Sequence, residues 1–222
     1  LDVYDSPRFH HTLFASLTTA HRPPSQLMIL ADGDLASAVL RIRTPEEAAI
    51  LDDTPMSLPY RMRKHASVLL LGETGGLNVW LARRWNASST TVVQRNPQII
   101  QLLRGPLADM GGRVFSLPGV RTELFDPRLF LEIAREHYDI IQIVQAEEIA
   151  AAGSGMLSLH EDFLLTCEGM ALCLQRLEPE GLLAITRGIQ SPPRDNVKIL
   201  ATLAEALESL GRMPAGRHMM QA

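Results

Sequence analysis

Val68-Leu69-Leu70-Leu71-Gly72-Glu73-Thr74-Gly75-Gly76-Leu77 is the stretch on which the fold turns. Four consecutive apolar residues, with no polar alternation, predict a central parallel strand covered on both faces. Gly72 to Gly76 predicts a tight turn, and Leu77 to Arg84 a helix. The same rhythm then repeats. Thr91 to Val93 is the second strand, and Asn96-Pro97 spells a helix start. Val120 to Leu124 is the third, followed by Asp126-Pro127 and a helix to about Glu136. Tyr138 to Val144 is the fourth strand. A loop from Gln145 to Leu159 precedes a helix with Phe163, Cys167, Met170 and Leu174 on one face. Gly181 to Thr186 is the fifth strand. Pro192-Pro193 then precede a helix carrying Val197, Leu200, Ala204 and Leu207, ended by Gly211. Five strand–helix alternations predict an α/β fold with a doubly wound, Rossmann-like, mainly parallel sheet.

Before this unit the pattern is different. Residues 1 to 43 alternate in the manner of strands, and Asp32-Gly33 between Ser25–Leu30 and Leu35–Ile42 predicts a hairpin turn. This is a small N-terminal β-hairpin unit, residues 1–43. Thr44 as cap, Pro45 at the first position and Glu47 closing a capping box predict a helix start. It opens a helical connector, 44–64, that leads into the Rossmann-like domain, 65–222. At the far end, His218-Met219-Met220-Gln221 reads as a strand barely begun. With Leu1 as first residue, the chain reads as cut from a longer protein, its C-terminal strands truncated.

The 222 residues suffice for one medium domain with a small appendage, and 46% hydrophobic against 21% charged residues is ordinary for a folded protein. A net charge of −4 with no basic run argues against nucleic acid as a partner. No stretch approaches the ~18 apolar residues that span a bilayer, and no signal peptide is visible, which points to the cytoplasm. Cys167 and Cys173, six apart in one predicted helix, point to different sides. That disfavours a disulfide, leaves no metal-ligand set, and makes them core residues of a reducing compartment.

In sheets of this kind ligands bind beyond the carboxyl ends of the strands, where strand order reverses. The turn of Gly72, Glu73, Thr74, Gly75 and Gly76 lies at that end of the first strand. There, glycines allow close approach and the following helix presents free N–H groups. Thr74 stands where a dinucleotide fingerprint needs its second glycine, which demotes NAD and FAD. Gln94, at the end of the second strand, occupies the place of a ribose-binding acid. It either binds a ribose more weakly than a carboxylate would or is an exposed strand end. Asp126, at the end of the third strand, either recognises an adenine amino group or caps the next helix, and its two oxygens could serve both. Asp139, one residue into the fourth strand, belongs to the opposite end of the sheet.

The order of these segments resembles the spermidine/spermine synthase family from the N-terminal β unit to about Thr186. Val68 to Gly76 corresponds to the family's glycine-rich motif, and Val92-Val93-Gln94-Arg95-Asn96-Pro97 to its second-strand motif. Phe125-Asp126 stands for its Gly-Asp step, and Tyr138-Asp139-Ile140-Ile141 opens its catalytic strand. Leu159 to Phe163 and Leu177 to Gly181 match the segments flanking its fifth helix. Tyr138 to Gln142, Ala150 to Gly153, and Thr186-Arg187 before Pro192-Pro193 are most similar to variants attached to bacterial membrane-spanning segments.

The resemblance implies a methyltransferase-type Rossmann fold and, as co-substrate, decarboxylated S-adenosylmethionine or S-adenosylmethionine. It also implies aminopropyl transfer to a polyamine, in which a carboxylate deprotonates the attacking amine. It suggests that the N-terminal hairpins could pair across a homodimer. Where the family ends its fourth strand in Asp-x-x-Asp, this chain has Val144 and Glu147. Glu147 and Glu148 are candidate substitutes for the missing acid, or solvated loop carboxylates. His160, Glu161 and Asp162 read as a helix start. Three functions are therefore open: a transferase acting through Glu147 and Glu148, a binding or regulatory domain that keeps the nucleoside pocket, and a scaffold of a larger membrane-associated protein.

Overall fold

The computed structural model describes residues 2–6, 21, 24–31, 34–144, 163–186 and 194–220. A five-stranded sheet is formed by β4 (Ser67–Leu71), β5 (Ser89–Gln94), β6 (Val120–Leu124), β7 (Tyr138–Val144) and β8 (Leu177–Thr186). Its order is β6-β5-β4-β7-β8, and every pairing is parallel. The expected doubly wound α/β fold is what the chain adopts. A separate antiparallel sheet, β1 (Asp2–Ser6), β2 (Gln26–Ala31) and β3 (Asp34–Leu40), is the N-terminal unit. Ala31 pairs with Asp34, which leaves two residues for the connection, and Asp32-Gly33 itself lies outside the described residues.

Alternation along the strands divides the interior in two. Val68, Leu70, Val92 and Ile140 face one core, shared with α2 (Leu77–Arg84), α3 (Pro97–Arg104), and Ile29, Val39 and Leu40 of the small sheet. Leu69, Leu71, Val93, Ile141 and Ile143 face the other core. There they meet α4 (Pro127–Ile133), α5 (Cys167–Gln175) and α6 (Arg194–Ser209). Several helix ends are set by local signals. Asn96 caps α3 by accepting from the Gln98 N–H, and Thr166 caps α5 by accepting from the Gly169 N–H. After α6, Gly211 at φ +71° lets the Gly211 and Arg212 N–H groups reach back to Glu208 and Leu207.

Several expectations need correction. The connector holds no helix at Thr44: Ala49–Asp53 and Pro55–Ser57 are 3-10 turns, and only α1 (Leu58–Met62) is α-helical. The capping box closes only in part: the Glu47 N–H reaches Thr44 Oγ1 at 3.4 Å, but Glu47 Oε2 accepts from the Arg43 N–H at 2.7 Å rather than from that of Thr44. Phe163 sits in a 3-10 turn and is exposed, because Thr166 starts α5 three residues later, whereas Met170 and Leu174 are buried. Cys173 is buried, and Cys167 only partly so. β8 begins at Leu177, before the expected Gly181, and a bulge shifts its register between Tyr138 and Ile140. His218 ends a 3-10 turn, and Met219 and Met220 are not in a strand.

Candidate functional site

Gly72, Gln94, Phe125-Asp126 and Val144 are all brought to the carboxyl end of the sheet, around the point where β4 lies between β5 and β7. Gly72 has φ +82°, and a Cβ there would lie 3.1 Å from the Val144 carbonyl oxygen. Asp139 is at the opposite end, where its Oδ2 accepts from the Ser67 N–H and hydroxyl, both at 2.8 Å.

The glycine turn is closed by the protein's own groups. Glu73 is 1% exposed. Its Oε1 accepts from the N–H groups of Gly75 at 3.1 Å and Gly76 at 2.7 Å. Its Oε2 accepts from the Asn78 N–H at 3.2 Å and the Asn78 side-chain amide at 2.7 Å. Of the N–H groups expected to be free here, those of Gly75 and Gly76 in the turn and of Asn78 in the first turn of α2 are therefore taken. Burial pushes the Glu73 carboxyl above its ordinary range, while the four donors oppose that shift. Truncating the side chain would leave three buried backbone N–H groups unmet, at about 1–3 kcal/mol each.

Behind the carboxylate runs a buried polar relay that sequence reasoning missed. Gln142 of β7 donates to Asn78 Oδ1 at 2.9 Å and accepts from the Tyr60 hydroxyl at 2.8 Å. Tyr60, Gln142, Asn78 and Glu73 form one chain of hydrogen bonds from α1 to the turn. Burial, and secondarily the Glu73 charge, raises the Tyr60 pKa well above its ordinary value. The available signal was a glutamine inside the apolar run Ile140-Ile141-Gln142-Ile143, since a buried amide needs partners.

Gln94 is not the exposed strand end that sequence allowed. It is 5% exposed, and its amide donates to the Glu73 carbonyl at 2.9 Å. Its Oε1 accepts from the Asn96 N–H at 2.9 Å, so it braces the glycine turn against β5. Gly75 is a glycine for a reason inside the fold: a Cβ would meet the Ala38 carbonyl oxygen of β3 at 2.1 Å. Asp126 is exposed and does cap α4, with the Arg128 and Leu129 N–H groups at 3.0 and 3.1 Å from Oδ1. Its Oδ2 takes no hydrogen bond among the described residues, and Phe125 beside it is partly exposed. Glu147, Glu148, His160, Glu161 and Asp162 lie outside the described residues. Among the described residues no group of three or more His, Cys, Asp or Glu could hold a metal, and no helix is long and apolar enough to cross a membrane.

No family model and no curated protein matches the chain. Solved structures do. Spermidine synthase from Thermotoga maritima aligns with a TM-score of 0.55 at 15% identity, over 82% of this chain and 56% of that one. A spermidine synthase in complex with the transition-state analogue AdoDATO aligns with a TM-score of 0.54 at 14% identity, over 88% of this chain and 62% of that one. A putative S-adenosylmethionine-dependent methyltransferase from Streptococcus mutans aligns at 16% identity with a TM-score of 0.49, over 85% of this chain and 48% of that one. At these identities the likeness is one of fold, and the chain spans about three fifths of the two synthases it matches.

Proposed function

We propose that the chain is a spermidine-synthase-like domain that binds an S-adenosylmethionine-type nucleoside beyond β4, β5 and β6 and does not transfer an aminopropyl group. The observation that carries this is the division of labour at Asp126. Both capping bonds fall on Oδ1, so the second oxygen of an exposed carboxylate is open to an adenine amino group, with Phe125 adjacent. Against transfer stands Val144, an apolar residue where the family resemblance implies the catalytic acid. Should transfer occur, Glu147 and Glu148 are the bases, a polyamine is the acceptor, and Glu147→Gln abolishes turnover. Under the same proposal the domain is cytoplasmic, pairs as a homodimer and belongs to a membrane-attached protein.

Calorimetric titration with methylthioadenosine, on the wild type and on Asp126→Ser, tests the binding. Serine keeps the cap but supplies one oxygen, so melting should stay unchanged while affinity falls about tenfold, the worth of one hydrogen bond to a charged group. Equal affinity for both proteins removes Asp126 from the site. A scaffold with a closed pocket is the alternative, favoured by the unbroken burial of Glu73 to Ala82 and the seating of Gly75 on β3. It requires that no nucleoside bind.

A further inference from the structure

The start of α2 is where related sheets hold a phosphate: the helix N-terminus carries partial positive charge and its first N–H groups point outward. In this chain that seat already holds an anion. Glu73 folds back from within the glycine turn, and three backbone N–H groups and one side-chain amide converge on its two oxygens at 2.7–3.2 Å. All four neighbours are donors, which is the environment of an ionised carboxylate. The Tyr60–Gln142–Asn78 relay fixes the amide that completes the cradle, and Gln94 holds the Glu73 carbonyl. The carboxylate is therefore braced from both sides of the turn and cannot swing out without leaving buried donors unmet.

We propose that Glu73 is a built-in anion that decides the class of ligand: it fills the phosphate seat, so the site rejects nucleotides bearing phosphate there and admits phosphate-free nucleosides. This rests on the nucleoside site proposed above. A phosphate placed against the buried carboxylate meets a like charge in a medium of low dielectric, and finds the N–H groups of Gly75, Gly76 and Asn78 already taken. A neutral thioether or a cationic sulfonium meets neither penalty.

Two measurements on the full chain test this. In the first, melting of Glu73→Gly is followed with formate or inorganic phosphate, against chloride at equal ionic strength. The empty cradle should take up the anion, so the variant melts below wild type and regains much of the loss in formate or phosphate. The wild type should be indifferent. If Glu73→Gly is recovered only unfolded, refolding in formate or phosphate replaces melting as the readout. Failure of either anion to restore the variant overturns the proposal.

In the second, wild type and Glu73→Gly are titrated with methylthioadenosine and adenosine diphosphate. Wild type should prefer methylthioadenosine at least about tenfold, and the variant should narrow or reverse that preference. Equal binding of both ligands by wild type overturns the proposal. If wild type binds neither, the nucleoside site is wrong, and the anion rescue alone decides whether Glu73 occupies a phosphate seat.

Discussion

Replacing Gly75 with alanine tests whether the glycine turn is seated on the protein itself. The new Cβ would fall 2.1 Å from the Ala38 carbonyl oxygen and 2.5 Å from the Ser37 hydroxyl. A hydroxyl can rotate away, but the Ala38 carbonyl belongs to β3, whose backbone is tied to β2 at Met28. The strain must be relieved by moving the turn or the small sheet as a whole. Overpacking usually costs about 1–3 kcal/mol, and a clash with fixed backbone belongs at the upper end. In a protein of this length 1 kcal/mol lowers Tm by about 2–4 °C, so Gly75→Ala should melt about 6–12 °C below wild type. Differential scanning calorimetry reads this directly. Gly216→Ala is the control, since nothing lies within 4 Å of its added methyl, and it should stay within about 2 °C. A Gly75→Ala protein that melts with wild type would refute the seating of the turn on β3.

Tyr60→Phe should lower stability by about 1–3 kcal/mol in urea titration, because it strands the buried Gln142 Oε1; unchanged stability would break the relay as described. Arg121 bonds both oxygens of Glu136, at 3.0 and 2.6 Å, and holds that carboxyl below its ordinary value of 4.5. A depressed pKa stabilises the fold above the unfolded value and ceases to do so as pH falls through the folded one. Wild type should therefore exceed Glu136→Gln by about 0.2–1 kcal/mol at neutral pH, the range for a half-exposed pair, and the gap should close in acid. A gap independent of pH would assign the effect to packing.

Much of the fold could be read from local pattern because the physics that decides it is local. Val68 to Leu71 must be covered on both faces wherever they sit, and Asn96-Pro97 and Asp126-Pro127 start helices by bonds within three residues. The Thr44 signal shows the limit: the Glu47 N–H does reach Thr44 Oγ1, yet the residues that follow settle into turns and 3-10 geometry rather than an α-helix. The site was harder to read. A glutamate in a glycine turn can point outward to a ligand or inward to the turn's own N–H groups. The choice depends on Asn78, Gln142 and Tyr60, which are distant in sequence and meet only in the folded chain. Gln94 posed the same difficulty, since the acceptor of its amide, the Glu73 carbonyl, lies across the strand end in the neighbouring turn.

Titration of the wild-type chain with decarboxylated S-adenosylmethionine, followed by assay for methylthioadenosine in the presence of putrescine, puts the central claim to its most direct test. Saturable binding and no release of methylthioadenosine are the expected results. Absence of binding would contradict the nucleoside site, and release of methylthioadenosine dependent on putrescine would contradict the loss of transfer inferred from Val144.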